Sequence, residues 1–192
     1  MMPRILDALL EAPSAPCVFV LQTRGQLIVR DLEKLRALGQ RTTLRVSFSI
    51  TTNREEIRRL YEPHCAPIAE RLEAIRILRE AGIETHATLA PLLPCDPEEL
   101  ARLALDASGR DLIGDPLHIR SAKPRGATTR NAAFRISAAN HHEKWFAPAF
   151  QEEAVERIRT AARSGGYDFA IGPSGFARLA LGPRRLLSSL RP

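Results

Sequence analysis

The chain has 192 residues, 44% of them hydrophobic, with 28 basic and 22 acidic side chains and a net charge of +6. That length and apolar content fit one globular unit with a sizeable core. No apolar run reaches the about 18 residues of a membrane span, and the first sixteen residues lack the apolar core of a secretory signal, so a cytoplasmic protein with no membrane partner is expected.

Ile5, Leu6, Leu9 and Leu10 form a short helical stripe within 3–10, ended by Pro13 and Pro16. The apolar run 17–21 reads as a strand buried on both faces, stopped by Gln22-Thr23-Arg24-Gly25. Leu27-Ile28-Val29 leads to Asp31, a suitable N-cap for a helix that buries Leu32, Leu35 and Leu38 and closes at Gly39. The next strand, 44–50, places Leu44, Val46, Phe48 and Ile50 on one face. Ser47 and Ser49 fall on the other, which is unusual for a fully buried strand. Residues 53–60 are weakly helical, and Pro63 and Pro67 bracket a loop. Ile68, Leu72, Ile75 and Leu78 have clean helical spacing, stopped by Gly82. A third strand spans 83–89, followed by a loop, 91–94, stiffened by two prolines.

Asp96-Pro97-Glu98-Glu99 is a strong helix start, with Asp96 as N-cap, Pro97 at the first helical position and Glu99 placed to close a capping box. Leu100, Leu103 and Ala107 face inward, and Gly109 ends the helix. Residues 112–119 read as a fourth strand, weakened by Gly114 and Pro116. After Arg120 the pattern changes. Lys123, Arg125 and Arg130 mark a basic loop, 151–162 is an amphipathic helix, 167–171 a short strand, and 181–192 an Arg- and Leu-rich tail.

Strands alternate with helices long enough to cross over, the signature of a parallel β/α sheet or barrel. The expected organisation is a β/α unit over 1–120 and an irregular C-terminal extension over 121–192. Chemistry in such folds gathers at the carboxyl ends of strands. Those ends carry Thr23 and Arg24, then Ser49, Thr51 and Thr52, then Ala90 and Pro91, then His118 and Arg120.

These strand ends carry a resemblance. Thr23-Arg24, the run 27–31, Phe48-Ser49-Ile50, Glu62-Pro63, Glu70-Arg71, Ala81-Gly82 and Leu89-Ala90-Pro91, in that order, resemble the radical S-adenosylmethionine superfamily. The branch they resemble is that of spore photoproduct lyase and the DNA-repair-photolyase-like proteins. The resemblance implies an incomplete parallel (β/α) barrel, about strands three to six of a six-stranded partial barrel. It implies S-adenosylmethionine and a [4Fe-4S] cluster as cofactors, with reductive cleavage of the first by the second and radical hydrogen abstraction from substrate. Carried over position by position, Arg24 stands where a basic residue meets the methionine carboxylate. Ser49 offers a hydroxyl to the polar part of the cofactor. Thr51 stands in place of an Asn near the ribose. Ala90 and Pro91 lie where the backbone approaches the adenine, and Arg71 is a second carboxylate or structural partner.

The chain also departs from the family. The superfamily holds its cluster through CxxxCxxC, and Cys17, Cys65 and Cys95 have no such spacing, nor that of a zinc site or disulfide framework. The glycine-rich segment after the family's second strand is absent as well. The resemblance therefore implies a fragment that lacks the cluster loop and first two strands and is inactive alone. An apolar edge strand at 17–21 would then need an upstream chain or a second copy to complete the barrel, with the first helix covering part of it. The alternative is a non-catalytic nucleic-acid-binding or assembly protein that reuses the half-barrel and engages polyanions through Lys123, Arg125 and Arg130. The Arg-rich, Lys-poor composition supports that reading only weakly, because GC-rich coding produces the same bias.

Each singled-out residue also has a plain structural reading. Ser49 and Thr51 fit a half-exposed strand, Arg24 a surface charge, Arg71 an exposed helix position. His64 beside Cys65 does not make a metal site, and His141-His142-Glu143 lacks the HExxH spacing. Trp145 and Phe146 read as core rather than a base-stacking platform.

Overall fold

The computed structural model describes residues 2–118 and 131–181. Five strands form one sheet in the order β1 (Val18–Thr23), β2 (Thr43–Ser49), β3 (Glu84–Leu92), β4 (Leu112–Pro116) and β5 (Phe169–Ile171). Every neighbouring pair is parallel, so each connection crosses over. The sheet follows chain order and does not close, as an incomplete parallel barrel requires. Helix α1 (Met2–Glu11) precedes β1. A 3₁₀ turn (Gln26–Asp31) and α2 (Leu32–Gly39) link β1 to β2. Helices α3 (Glu55–Tyr61) and α4 (Ile68–Glu80) link β2 to β3, and α5 (Pro97–Ser108) links β3 to β4. Helix α6 (Asn131–Ala139), a 3₁₀ turn (Glu143–Phe146) and α7 (Pro148–Ser164) precede β5, and α8 (Gly172–Leu181) follows it. None of the described helices is long and apolar enough to cross a membrane.

The two faces of the sheet follow from strand periodicity. Leu44, Val46 and Phe48 point outward into a core shared with Leu35 and Leu38 of α2, Leu72, Ile75 and Leu78 of α4, and Leu100 of α5, all buried. Their alternates Arg45, Ser47 and Ser49 point to the inner face. The residues after 130 extend the same sheet, since β5 pairs with β4 and α7 packs on α5. Trp145 is buried and meets Phe150 edge to face, as a core residue should.

Helix α8 was not foreseen. It lies across the inner face against β5, β4 and β1. Gly175 permits this approach, because a Cβ there would stand 2.8 Å from the backbone carbon of Ala170. Arg45 reaches across the sheet and donates from Nη1 to the Leu179 carbonyl at 3.0 Å. Gly114, a reason to doubt β4 in the sequence, has a similar explanation: the Phe169 ring of β5 fills the space where its Cβ would be, at 2.7 Å.

Several boundaries and one cap differ from expectation. Strand β3 runs on through Pro91 to Leu92 instead of yielding to a loop at Pro91. The pairing with β4 shifts register between Leu89 and Leu92, and an irregularity of that kind is where a strand tolerates a residue with no N–H. Strand β4 stops at Pro116, short of Ile119. Asp96 caps α5 by accepting from the Glu99 backbone at 3.0 Å, but the Glu99 side chain turns to Arg102 instead of closing the box. Helix α7 begins at Pro148, because proline at the first helical position needs no N–H partner. Helix α1 packs along α2, with Leu6 buried and Asp7 paired to Lys34 at 2.6 Å. Among the described residues β1 pairs with β2 alone.

Near the amino ends of the strands, Glu84 accepts from Arg45 Nε at 2.9 Å and lies 3.1 Å from His86 Nε2. Hydrogen bonding from His86, then from Arg45, outweighs the cost of burial and lowers the Glu84 carboxyl to about 2. A depressed carboxylate contributes stability above its unfolded pKa of about 4.3 and loses it as pH falls through the folded value. The stability difference between wild type and Glu84→Gln should therefore shrink by on the order of 2 kcal/mol from pH about 6 to pH about 2. Urea denaturation across that range measures it.

Candidate cofactor site

At the carboxyl ends of β1, β2 and β3, on the inner face, lies a cleft of about 680 Å³. Its floor is polar. Gln22, Ser47, Ser49 and Thr88 project into it from three adjacent strands, with Ala90 and Pro91 following on β3. Ser47 and Thr88 are buried and share a 2.6 Å hydrogen bond between their hydroxyls. The opposite wall is apolar and comes from later in the chain: Leu117, Ile136 of α6 and Phe176 of α8. Tyr61, Glu62, His64 and Cys65, at and after the end of α3, form one side. A cleft with a polar floor, an apolar wall and a cation at its rim fits a ligand that has a charged end and a flat, hydrogen-bonding end.

The side is organised by Glu62. Its carboxylate side chain is 6% exposed and takes three donors. Arg24 Nη1 reaches Oε1 at 2.6 Å, Arg71 Nη1 reaches Oε2 at 2.7 Å, and the Thr51 hydroxyl reaches Oε2 at 2.8 Å. Arg71 also donates to the Ser49 carbonyl, and its side chain is 1% exposed. Arg58 fixes the backbone beneath, donating to the Glu62 carbonyl at 3.1 Å and the Cys65 carbonyl at 2.7 Å. A buried carboxylate needs such partners. Two guanidinium groups against one carboxylate leave the cluster with a net charge of +1. Arg24 carries the accessible share, its side chain being 47% exposed.

Of the six predicted cofactor residues, Arg24, Ser49, Ala90 and Pro91 line the cleft. The peptide bond joining Ala90 to Pro91 is cis. Thr51 and Arg71 are buried behind Glu62, so they reach the cleft through it. Lys123, Arg125 and Arg130 lie outside the described residues. Sequence reasoning did not see Glu62 as the centre. The available signal was a Glu-Pro pair nine residues before an arginine on an otherwise apolar helical face. It also missed the Ser47–Thr88 pair, although both are hydroxyls facing away from the apolar side of their strands. Phe176 could not be placed without knowing that α8 folds back. His142 stacks on Tyr61, with Nδ1 3.2 Å from the phenol oxygen, and burial lowers its pKa.

The cysteines do not gather. Cys17 is exposed at the amino ends of the strands, Cys65 lines the cleft, and Cys95 is buried, which pushes its thiol pKa up. No group of three metal-ligating side chains occurs among the described residues.

An open parallel β/α sheet with a cleft at the carboxyl ends of its strands defines an α/β protein of the partial-barrel class. Within that class, the chain belongs to the radical SAM superfamily, whose model matches residues 2–107. It is 30% identical over 167 residues to the uncharacterized proteins Mb2609c of Mycobacterium bovis and Rv2578c of Mycobacterium tuberculosis, covering 87% of this chain and 45% of each of them. It is also 30% identical over 111 residues to the uncharacterized protein ORF301 of Acidianus two-tailed virus, covering 53% of this chain and 36% of that one. Among solved structures it is similar in fold to spore photoproduct lyase complexed with dinucleoside spore photoproduct. The TM-score is 0.54 at 16% identity, covering 88% of this chain and 54% of the lyase. A substituted form of that enzyme with bound AdoMet gives a TM-score of 0.53. The chain thus spans less than half the length of its mycobacterial relatives and about half that of the lyase.

Proposed function

We propose that this chain is the S-adenosylmethionine-facing wall of a radical SAM protein of the photolyase-like kind, and that the cluster-holding part lies outside it. The observation that carries this reading is the convergence of Arg24, Ser49, Ala90 and Pro91 on one cleft, with the Arg24 guanidinium held at the rim by Glu62. The residues fit the organic cofactor. Arg24 would take the methionine carboxylate, the Ser49 hydroxyl the polar portion, and the backbone at Ala90 and Pro91 the adenine, with apolar cover from the opposite wall. Bound there, S-adenosylmethionine would supply the precursor of the organic radical on which the family's chemistry depends. This chain's residues would bind it, orient it and shield it from water.

The residues do not fit a [4Fe-4S] cluster. Cys17 and Cys65 lie at opposite ends of the sheet, and no CxxxCxxC spacing is present. The reading therefore assigns the cluster to an upstream segment or chain, and the strands that pair with the open edge of β1 to that same segment or to a second copy. The chain alone is then a fragment that cannot start the reaction. After anaerobic reconstitution with iron and sulfide, it should show no stable four-iron absorption and release no 5′-deoxyadenosine from S-adenosylmethionine and reductant. Either signal from this chain by itself overturns the fragment reading.

A further inference from the structure

We infer that Glu62 is a positioning residue that fixes the place of the carboxylate-binding guanidinium, Arg24, at the rim of the cleft. This rests on the S-adenosylmethionine reading above and deepens it. The three donors around Glu62 are not equivalent. Arg71 and Thr51 are buried and bond Oε2, at 2.7 and 2.8 Å. Arg24 is the exposed donor and bonds Oε1 at 2.6 Å. One carboxylate oxygen is thus locked into the protein and the other is offered to the rim. The lock is anchored further, because Arg71 also bonds the Ser49 carbonyl at the end of β2 and Arg58 bonds the Glu62 carbonyl. Arg24 is held in a defined place by a group that is itself immobile, which lowers the entropy lost when its guanidinium engages a ligand.

Among the described residues, Arg24 bonds Glu62 through Nη1 alone. Its other donors are available, and a guanidinium presents a planar fork that matches a carboxylate. Arg24 and Arg71 supply +2 and Glu62 supplies −1, so one carboxylate neutralises the cluster and a dianion overcharges it. Without Glu62, Arg24 loses its place whatever charge remains: the cluster is +2 in Glu62→Gln and +1, as in wild type, when Arg71 is replaced with it, so a loss of preference in both reports position and not charge. A residue needed only for folding would alter stability and leave the choice between two bound ligands unchanged.

The test compares S-adenosylmethionine with its decarboxylated analogue, which lacks only the carboxylate. Affinities are measured by calorimetric titration on the full chain in wild type, Glu62→Gln, and the double variant Glu62→Gln/Arg71→Met. The double variant removes the buried charge pair together, a change that folds tolerate well when the replacements pack. It keeps the measurement available if Glu62→Gln does not fold. Wild type should prefer the carboxylate-bearing ligand by about tenfold or more, the strength of a charge-assisted hydrogen bond. In the folded variants that preference should fall to within about twofold of unity, with affinity for the decarboxylated analogue little changed. A wild-type preference retained in either variant overturns the role of Glu62 and leaves the S-adenosylmethionine reading standing. No binding of either ligand to wild type overturns both.

Discussion

Arg71→Ala is expected to destabilise the fold by about 3–5 kcal/mol, and Arg24→Ala by less than about 1 kcal/mol, although both side chains bond the same carboxylate. The difference is burial. The Arg71 side chain is 1% exposed and ties α4 to the end of β2 through Glu62 and the Ser49 carbonyl. Removing it leaves a void, an unpaired backbone acceptor, and a buried carboxylate whose remaining cation is half in water. Arg24 is 47% exposed, so solvent screens its ion pair, and Glu62 keeps Arg71 and Thr51 when it is gone. Urea denaturation of the two variants measures the contrast. Equal losses would show that the cluster is one structural unit with no member set apart for a ligand.

That low structural cost makes Arg24 a clean probe of binding. Arg24→Ala should weaken S-adenosylmethionine binding by about 10- to 100-fold while leaving the melting curve nearly in place, since it removes a charge-assisted contact worth about 1.5–3 kcal/mol. Arg24→Lys should recover part of the loss, because a point charge replaces a planar fork. Equilibrium titration of the iron-free chain measures both. Unchanged affinity in Arg24→Ala would place the carboxylate elsewhere.

The sheet and its outer helices were legible because their signals are local. Leu44, Val46 and Phe48 alternate on β2, Ile68 to Leu78 repeat at helical spacing on α4, and Asp96-Pro97 announces α5. The inner face was half legible: Ser47 and Ser49 marked a polar side to β2, and the family resemblance then pointed to Arg24, Ala90 and Pro91. What stayed hidden depends on contacts distant in sequence. Glu62 is 38 residues from Arg24 and 9 from Arg71, and nothing at a Glu-Pro pair shows that two arginines converge on it. Helix α8 opens with Gly172-Pro173-Ser174-Gly175, a composition that reads as a loop. It becomes a wall of the cleft because Gly175 permits close approach to Ala170 and Arg45 holds the Leu179 carbonyl.

Amide hydrogen exchange with and without S-adenosylmethionine, on the iron-free chain, locates the ligand directly. Added protection should concentrate at 22–25, 49–52 and 88–93, the carboxyl ends of β1, β2 and β3, and should vanish in Arg24→Ala at a ligand concentration that saturates wild type. No added protection, or protection confined to the amino ends of the strands around Cys17 and Glu84, would contradict the assignment of this cleft as the cofactor-facing wall.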